Sequence, residues 1–185
     1  MSAGHIVFSH GNGFPSGTYS ELFKVWRQAG HTVSAVEKFG HDPRHPVTSN
    51  WPHLRDELIE HAQPLARSRT GRPLILVGHS LGGLLSLMAA CWKPGLADGL
   101  VLLDSPVITG WRAHSLHMVK LSGLISRLSP GRVSMRRRHV WPDRAAVLEH
   151  FQAKSAFRRW QPQVLQDYVA HGFVERNGQV ELAFE

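Results

Sequence analysis

The chain has 185 residues, 42% of them hydrophobic, and 21 Lys and Arg against 14 Asp and Glu give it a net charge of +7. This length and apolar content predict one globular domain with its own core and exclude a disordered protein. No apolar run approaches the ~20 residues of a membrane span and no signal peptide fits before the first strand, so we expect no membrane partner and a cytoplasmic location. The single cysteine, Cys91, lies in a predicted helix and excludes a disulfide framework; we expect it to be buried and inert.

Short apolar runs alternate with amphipathic stretches over the first hundred residues. The pattern predicts strands at 5–9, 31–37, 73–78 and 99–104 and helices at 19–29, 51–66 and 81–93. Strands that alternate with helices predict a parallel sheet of about four strands in a doubly wound α/β fold.

A glycine-rich loop follows the first strand at residues 9–15, with the sequence S-H-G-N-G-F-P. Taken alone, this composition predicts only a Gly/Asn turn. Its interpretation depends on the turn that follows the third strand.

The third strand leads directly into G-x-S-x-G at residues 78–82, and a predicted buried helix follows. In this strand–turn–helix context the motif marks a nucleophile at the tip of a sharp turn. A serine there crowds its neighbours two positions away, where Gly78 and Gly82 have no Cβ. The following helix also aims free N–H groups at developing negative charge. We predict Ser80 as a nucleophile; the alternative is an ordinary glycine-rich turn.

An acyl-transfer serine needs two N–H donors where the carbonyl oxygen becomes an oxyanion. One should come from Leu81, the residue after the nucleophile, and the other from the glycine-rich loop, with Asn12 the favoured backbone donor. We expect the residues around these groups to contact substrate: His10, Gly11, Gly13, Phe14 and His79.

The motifs S-H-G-N-G-F-P, V-G-H-S-L-G-G and L-V-L-L-D-S-P, in this order and spacing, resemble those of the α/β-hydrolase superfamily over residues 4–106. The loop is also similar to that of haloalkane dehalogenases, but those carry an aspartate where this chain has Ser80. The resemblance implies a hydrolase core at 1–106, a helical cap at 107–172 and a segment at 173–185 that returns toward a missing C-terminal core. It also implies a substrate pocket under the cap, with Trp111 in its wall.

The C-terminal part has a different pattern. Residues 107–172 show helical stretches separated by glycine and proline, and we expect no strand there. Asn177-Gly178, flanked by alternating residues, predicts a β-hairpin.

The triad of this fold runs in the order serine, acid, histidine, with the histidine after the last strand. Two further strand–helix units would be needed to reach it, so we expect the base to be absent and the chain to be a poor catalyst. His171 is interpreted as a helix-terminal residue, with a base as the alternative. Asp104 is either a triad acid or a capping or loop-bonding aspartate.

The strand at 99–104 should be an uncovered edge through which the chain self-associates.

The basic residues are spread along the chain apart from clusters at 136–139 and 158–159, and no nucleic-acid motif accompanies them. We interpret them as a solvated face and expect no nucleic-acid partner; an anionic-ligand or nucleic-acid patch is the alternative. The histidines at 41–45 flank a proline loop, and no metal or phosphate-binding motif is present, so we expect no metal and no cofactor.

The predicted function is therefore hydrolysis of a small, largely apolar carboxylic ester through an acyl-enzyme on Ser80. The alternative is a truncated or degenerate chain that keeps a binding pocket and catalyses nothing. Thioesterase, C–C hydrolase and haloperoxidase chemistries stay open on these residues.

Overall fold

Two sheets organise the residues that the computed structural model describes, which are 3–68, 70–107 and 138–184. The first sheet has four parallel strands in the order β2-β1-β3-β4. Its strands are β1 (His5–Ser9), β2 (Thr32–Ala35), β3 (Leu74–His79) and β4 (Gly99–Leu103). Their connections contain a 3-10 helix (Ser16–Tyr19), α1 (Ser20–Gln28), α2 (Pro52–Ser68) and α3 (Leu81–Trp92). The predicted α/β sheet is confirmed.

Helices cover both faces of this sheet, and successive strand residues pack into the cores on opposite faces. Val7 of β1 and Leu76 of β3 lie in one core with buried residues of α2 and α3. Phe8 lies in the core of the opposite face with Phe23 of α1. A strand apolar on both faces is the form that a parallel sheet covered by helices requires.

The chain changes direction across the sheet at the boundary between β1 and β3. From β1 it moves outward to β2, and it then returns past β1 to form β3 and β4. Loops that leave the carboxyl ends of β1 and β3 therefore diverge and leave a crevice, the usual place for a ligand in such sheets. Residues 10–13 and Ser80 both lie at this crevice edge.

Residues 138–184 form a second unit around an aromatic core. It contains β5 (Val140–Trp141), α4 (Arg144–Gln152), a 3-10 helix (Phe157–Arg159), α5 (Pro162–His171), β6 (Phe173–Arg176) and β7 (Gln179–Leu182). The predicted hairpin is confirmed, with positive φ at both Asn177 and Gly178. The expectation of no strand at 107–172 is wrong, because Trp141 pairs with Val180.

That error has a physical cause. A two-residue strand has no detectable period, and Val140–Trp141 extends only because a partner almost forty residues away offers its edge. The shared core also joins Phe173 and Val180 to Trp141, so residues 173–184 pack with the helices before them. The division into core, cap and return segment stays a prediction, and residues 108–137 of the predicted cap, including Trp111, lie outside the described residues.

The second unit contacts the first mainly where α5 packs against the 3-10 helix at Ser16–Tyr19. The ring of His171 lies directly against Gly17, which agrees with a structural role for this helix-terminal histidine. Cys91 is exposed rather than buried, because it falls on the outer face of α3. No helix in the described ranges combines the length and apolar composition needed to cross a bilayer.

Candidate active site

Ser80 lies in the tight turn between β3 and α3. Its backbone has φ 53° and ψ −118°, a region that a non-glycine residue adopts only under strain. The Ser80 N–H donates to the Leu103 carbonyl at 3.0 Å, so the neighbouring strand holds the turn in place. The predicted elbow conformation is present.

Two glycines allow the turn to close. A Cβ on Gly78 would collide with the Gly82 carbonyl and the Gly83 nitrogen, and a Cβ on Gly82 would overlap the backbone of Ser9 and His10. Any side chain at either position would therefore displace the backbone. The second contact also presses the start of α3 against the beginning of the glycine-rich loop.

The start of α3 and this loop both present free N–H groups. No backbone acceptor among the described residues bonds to the Leu81 N–H, as expected for the first residue of a helix. In the loop, the Phe14 N–H donates to the Gly11 carbonyl at 3.1 Å, and Gly13 has φ +79°. In this turn the Asn12 N–H has no backbone acceptor among the residues that the structure describes. Leu81 and Asn12 as oxyanion donors stay a prediction that this geometry supports.

His10 braces the loop from inside the protein. It is 6% exposed, its Nδ1 lies 2.9 Å from the Gly11 carbonyl, and its Nε2 accepts from the Phe39 N–H at 2.9 Å. Burial lowers the pKa of His10 from 6.5 to about 4, so the ring is neutral at pH 7 with its proton on Nδ1. Because both ring nitrogens are bonded to backbone, His10 positions the loop. Contact of His10 with substrate stays a prediction.

Tyr19 is the site residue that the sequence analysis did not identify. The Gly11 N–H donates to Tyr19 Oη at 3.1 Å, and Oη lies 2.7 Å from His79 Nδ1. Burial lowers the pKa of His79, and the nearby Asp104 opposes that shift. The only local indication was a tyrosine at the start of the predicted first helix, which does not reveal a partner sixty residues away.

Phe14 points away from the loop toward the second unit. Its ring lies 5.9 Å from Trp160 and 5.3 Å from Tyr168, between ring centres. It therefore attaches the loop to the aromatic core of residues 138–184. Contact of Phe14 with substrate stays a prediction.

Asp104 follows β4 at the same edge of the sheet. It is exposed and has φ 44°, and the carboxylate takes part in no hydrogen bond that the described residues provide. The next residue, Ser105, lies against Gly83 of α3 and donates to the Leu103 carbonyl. Asp104 thus lies near the elbow, but its role as triad acid or as a loop-bonding aspartate stays open.

No histidine in the described ranges is bonded to the Ser80 hydroxyl: His10 and His79 have the partners given above, and His171 packs on Gly17. Within the same ranges, no group of three or more His, Cys, Asp or Glu side chains could hold a metal ion. The described part of the site thus contains a serine, backbone N–H groups, the buried His10 and the half-buried His79.

A sequence model of one hydrolase family, described as "Serine aminopeptidase, S33", matches residues 2–184. The chain belongs to this family. The match covers the elbow, the glycine-rich loop and the second unit, so one family accounts for both sheets.

Relatives and solved structures agree with this membership. The human monoglyceride lipase is 31% identical over 128 residues, which are 68% of this chain and 42% of that protein. The chain thus spans less than half the length of this curated relative. The whole chain superimposes on 62% of the solved structure of E-2-(acetamidomethylene)succinate hydrolase, with a TM-score of 0.69 and 22% sequence identity. It also superimposes on 54% of the peroxisomal α/β-hydrolase Lpx1 of Saccharomyces cerevisiae, with a TM-score of 0.71 and 18% identity. The fold is that of an α/β-hydrolase.

Proposed function

We propose that this chain carries the nucleophile and oxyanion half of a serine hydrolase that cleaves small, largely apolar carboxylic esters. The observation that carries the proposal is the strained Ser80 backbone at the start of α3, directly beside the loop after β1. Backbone strain of this kind persists only where the surrounding contacts enforce it, and such sites are commonly functional.

The chemistry follows from the arrangement. Ser80 Oγ attacks the ester carbonyl carbon and loses its proton, and the carbonyl electron pair moves onto oxygen. The N–H groups of Leu81 and Asn12 donate to that oxyanion, where one lost donor typically costs 10²- to 10³-fold in rate. Collapse of the intermediate expels the alcohol and leaves an acyl-enzyme, which water hydrolyses to the acid and free Ser80.

The proton of Ser80 must move to a general base. No hydrogen bond joins the Ser80 hydroxyl to a histidine in the described ranges, so we do not assign the base to one of those histidines. Asp104 is retained as the proposed triad acid because it lies on the loop after β4 and influences His79 electrostatically. A histidine oriented by such a carboxylate is the arrangement that activates a serine.

The substrate class rests on two supports. Aromatic rings adjoin the loop through Phe14, which suits an apolar substrate. The human relative is named a monoglyceride lipase, and a monoglyceride is an ester of an apolar acyl chain. We therefore propose monoacylglycerols and p-nitrophenyl butyrate as the first substrates to assay.

The single exposed cysteine leads us to propose a reducing compartment such as the cytoplasm.

A serine-directed fluorophosphonate tests the proposal on the chain itself. Because no described histidine is bonded to the Ser80 hydroxyl, we expect the probe to label Ser80 slowly, as identified by peptide mass spectrometry, and Ser80→Ala to abolish this labelling and the low esterase activity. Ser105→Ala is the matched control, since Ser105 lies beside the elbow but donates to the Leu103 carbonyl. Labelling elsewhere, or none in the folded protein, would favour the alternative of an incompetent binding module.

Self-association through β4 is a separate proposal. This strand is an edge of the described sheet, and Val101 on it is 42% exposed. An exposed apolar edge strand pairs with other chains, whereas a lysine on it discourages pairing. We expect Val101→Lys to lower the apparent mass in light scattering. Val25→Lys, at an exposed valine on α1, should leave it unchanged; equal masses for all three proteins would contradict the proposal.

A further inference from the structure

The hydroxyl of Tyr19 bridges the two turns of the site. It accepts the Gly11 N–H at 3.1 Å and lies 2.7 Å from His79 Nδ1. Because Gly11 already donates to this oxygen, the one proton of the Tyr19 hydroxyl is free to be donated to His79 Nδ1. With the bond in that direction, His79 is the neutral tautomer that carries its proton on Nε2.

Packing holds this hydroxyl in place. The Tyr19 ring lies 4.6 Å from the Phe8 ring and 6.5 Å from the Phe23 ring, between centres, on the α1 face of the sheet. Burial raises the pKa of Tyr19 to about 12 and lowers that of His79, so both groups are neutral near pH 7. Packing of the ring therefore holds Tyr19 Oη in position, and its two hydrogen bonds hold Gly11 and His79 at a fixed distance from each other.

Gly11 lies close to both side chains that form this bridge. A Cβ on Gly11 would lie 2.9 Å from His79 Nδ1 and 3.2 Å from Tyr19 Oη. Gly11 immediately precedes Asn12, the proposed second oxyanion donor, and His79 immediately precedes Ser80. Each end of the bridge is thus one residue from a group that takes part in the proposed reaction.

We propose that Tyr19 is a positioning residue, whose hydroxyl sets the distance between the oxyanion loop and the nucleophile elbow and holds His79 as the Nε2–H tautomer. This role rests on the proposed hydrolase function. In this role Tyr19 acts through its hydrogen bonds to Gly11 and His79.

The hydrogen bond itself is tested without activity. Long-range ¹H–¹⁵N NMR of the chain should show His79 as the neutral Nε2–H tautomer, with Nδ1 as a bonded acceptor. Tyr19→Phe keeps the ring but removes the donor that favours neutral His79, so the His79 pKa should rise and its tautomers should mix. Ser34→Ala is the matched control, because it removes a hydroxyl–imidazole bond of 2.6 Å between Ser34 of β2 and His61 of α2. An unchanged His79 spectrum in Tyr19→Phe would overturn the proposal.

The positioning role is tested by the rate of reaction at Ser80. We expect Tyr19→Phe to slow fluorophosphonate labelling about 10- to 100-fold, and in any ester assay to lower kcat while KM changes little. His79→Leu removes the acceptor and should slow labelling similarly, and the double variant should lose no more than either single one. Ser34→Ala should label at the wild-type rate.

The outcomes separate this proposal from the proposed function. Absence of labelling in the wild-type chain would contradict the proposed function, while the NMR result would still decide the Tyr19 bond. Normal labelling of Tyr19→Phe beside a labelled wild type would overturn the positioning role alone. If Tyr19→Phe does not fold by circular dichroism, the comparison of His79→Leu with Ser34→Ala decides instead.

Discussion

The turn after β1 and the turn after β3 lie side by side at the same sheet edge, and both need glycine for different reasons. Gly78 and Gly82 of the elbow are required by backbone atoms, at contacts where no side chain fits. Gly11 of the loop is instead crowded by the side chains of Tyr19 and His79. Gly78 is thus required by a contact inside the elbow and Gly82 by the backbone at the end of β1, whereas Gly11 is crowded by side chains.

The strongest test of this difference is Gly82→Ala. The added Cβ would overlap the Ser9 carbonyl in the middle of the sheet, so β1 would have to move, and we expect the protein not to fold. Circular dichroism and the yield of monodisperse protein measure this. Gly71→Ala is the control: its φ is +72° but no atom lies within 4 Å of the new Cβ, so it should fold with a loss of only about 1 kcal/mol. A folded Gly82→Ala would refute the backbone-contact argument.

Gly11→Ala should have a smaller and different effect. The imidazole of His79 and the hydroxyl of Tyr19 can shift to admit a methyl group, so the protein should fold. The displaced loop should carry the Asn12 N–H out of place and slow labelling of Ser80 by about 10²-fold, the scale of one lost oxyanion donor. Labelling kinetics and circular dichroism are measured together. If Gly11→Ala is as unfolded as Gly82→Ala, the contrast between the two turns is lost.

Acid should weaken the brace beneath the loop. Burial gives folded His10 a pKa of about 4 against its ordinary 6.5, so the unfolded chain binds more protons between these values. The stability contributed by neutral His10 is complete above pH 6.5 and is lost as pH falls toward 4, by about 2 kcal/mol between pH 7 and 5. Urea unfolding at pH 7, 6 and 5 measures this. Burial also lowers the pKa of His61 and of His79, so these residues add to the loss of stability in acid. The His10→Gln variant isolates the part due to His10, because its free energy of unfolding should fall by about 2 kcal/mol less between pH 7 and 5.

Asn12→Ala should have the smallest effect. The Asn12 side chain is exposed, and the proposed donor is its backbone N–H, which alanine keeps. Labelling of Ser80 and any ester turnover should fall by no more than severalfold. A loss of about 10²-fold or more would mean that the amide side chain contacts substrate, and the loop would then act through side chains rather than backbone.

The predictions that came from sequence are those that depend on local patterns rather than on contacts between distant residues. The four parallel strands and the elbow depend on alternation, on strand–turn–helix order and on glycine spacing, all of which are local. The second unit is held by an aromatic core and by pairing of Trp141 with Val180. No local pattern marks such pairing, so the strand Val140–Trp141 was missed.

The sequence by itself determined that Ser80 lies at a sharp turn between a buried strand and a helix, because a serine with glycine two residues on either side, between an apolar strand and a helix, is typical of that turn. Only the tertiary structure decided how the neighbouring loop is held. It turned His10 inward to bond backbone at both nitrogens, and it placed Tyr19 between Gly11 and His79. These contacts join residues up to sixty positions apart, and their hydrogen bonds depend on which side chains the packed sheet brings within 3 Å.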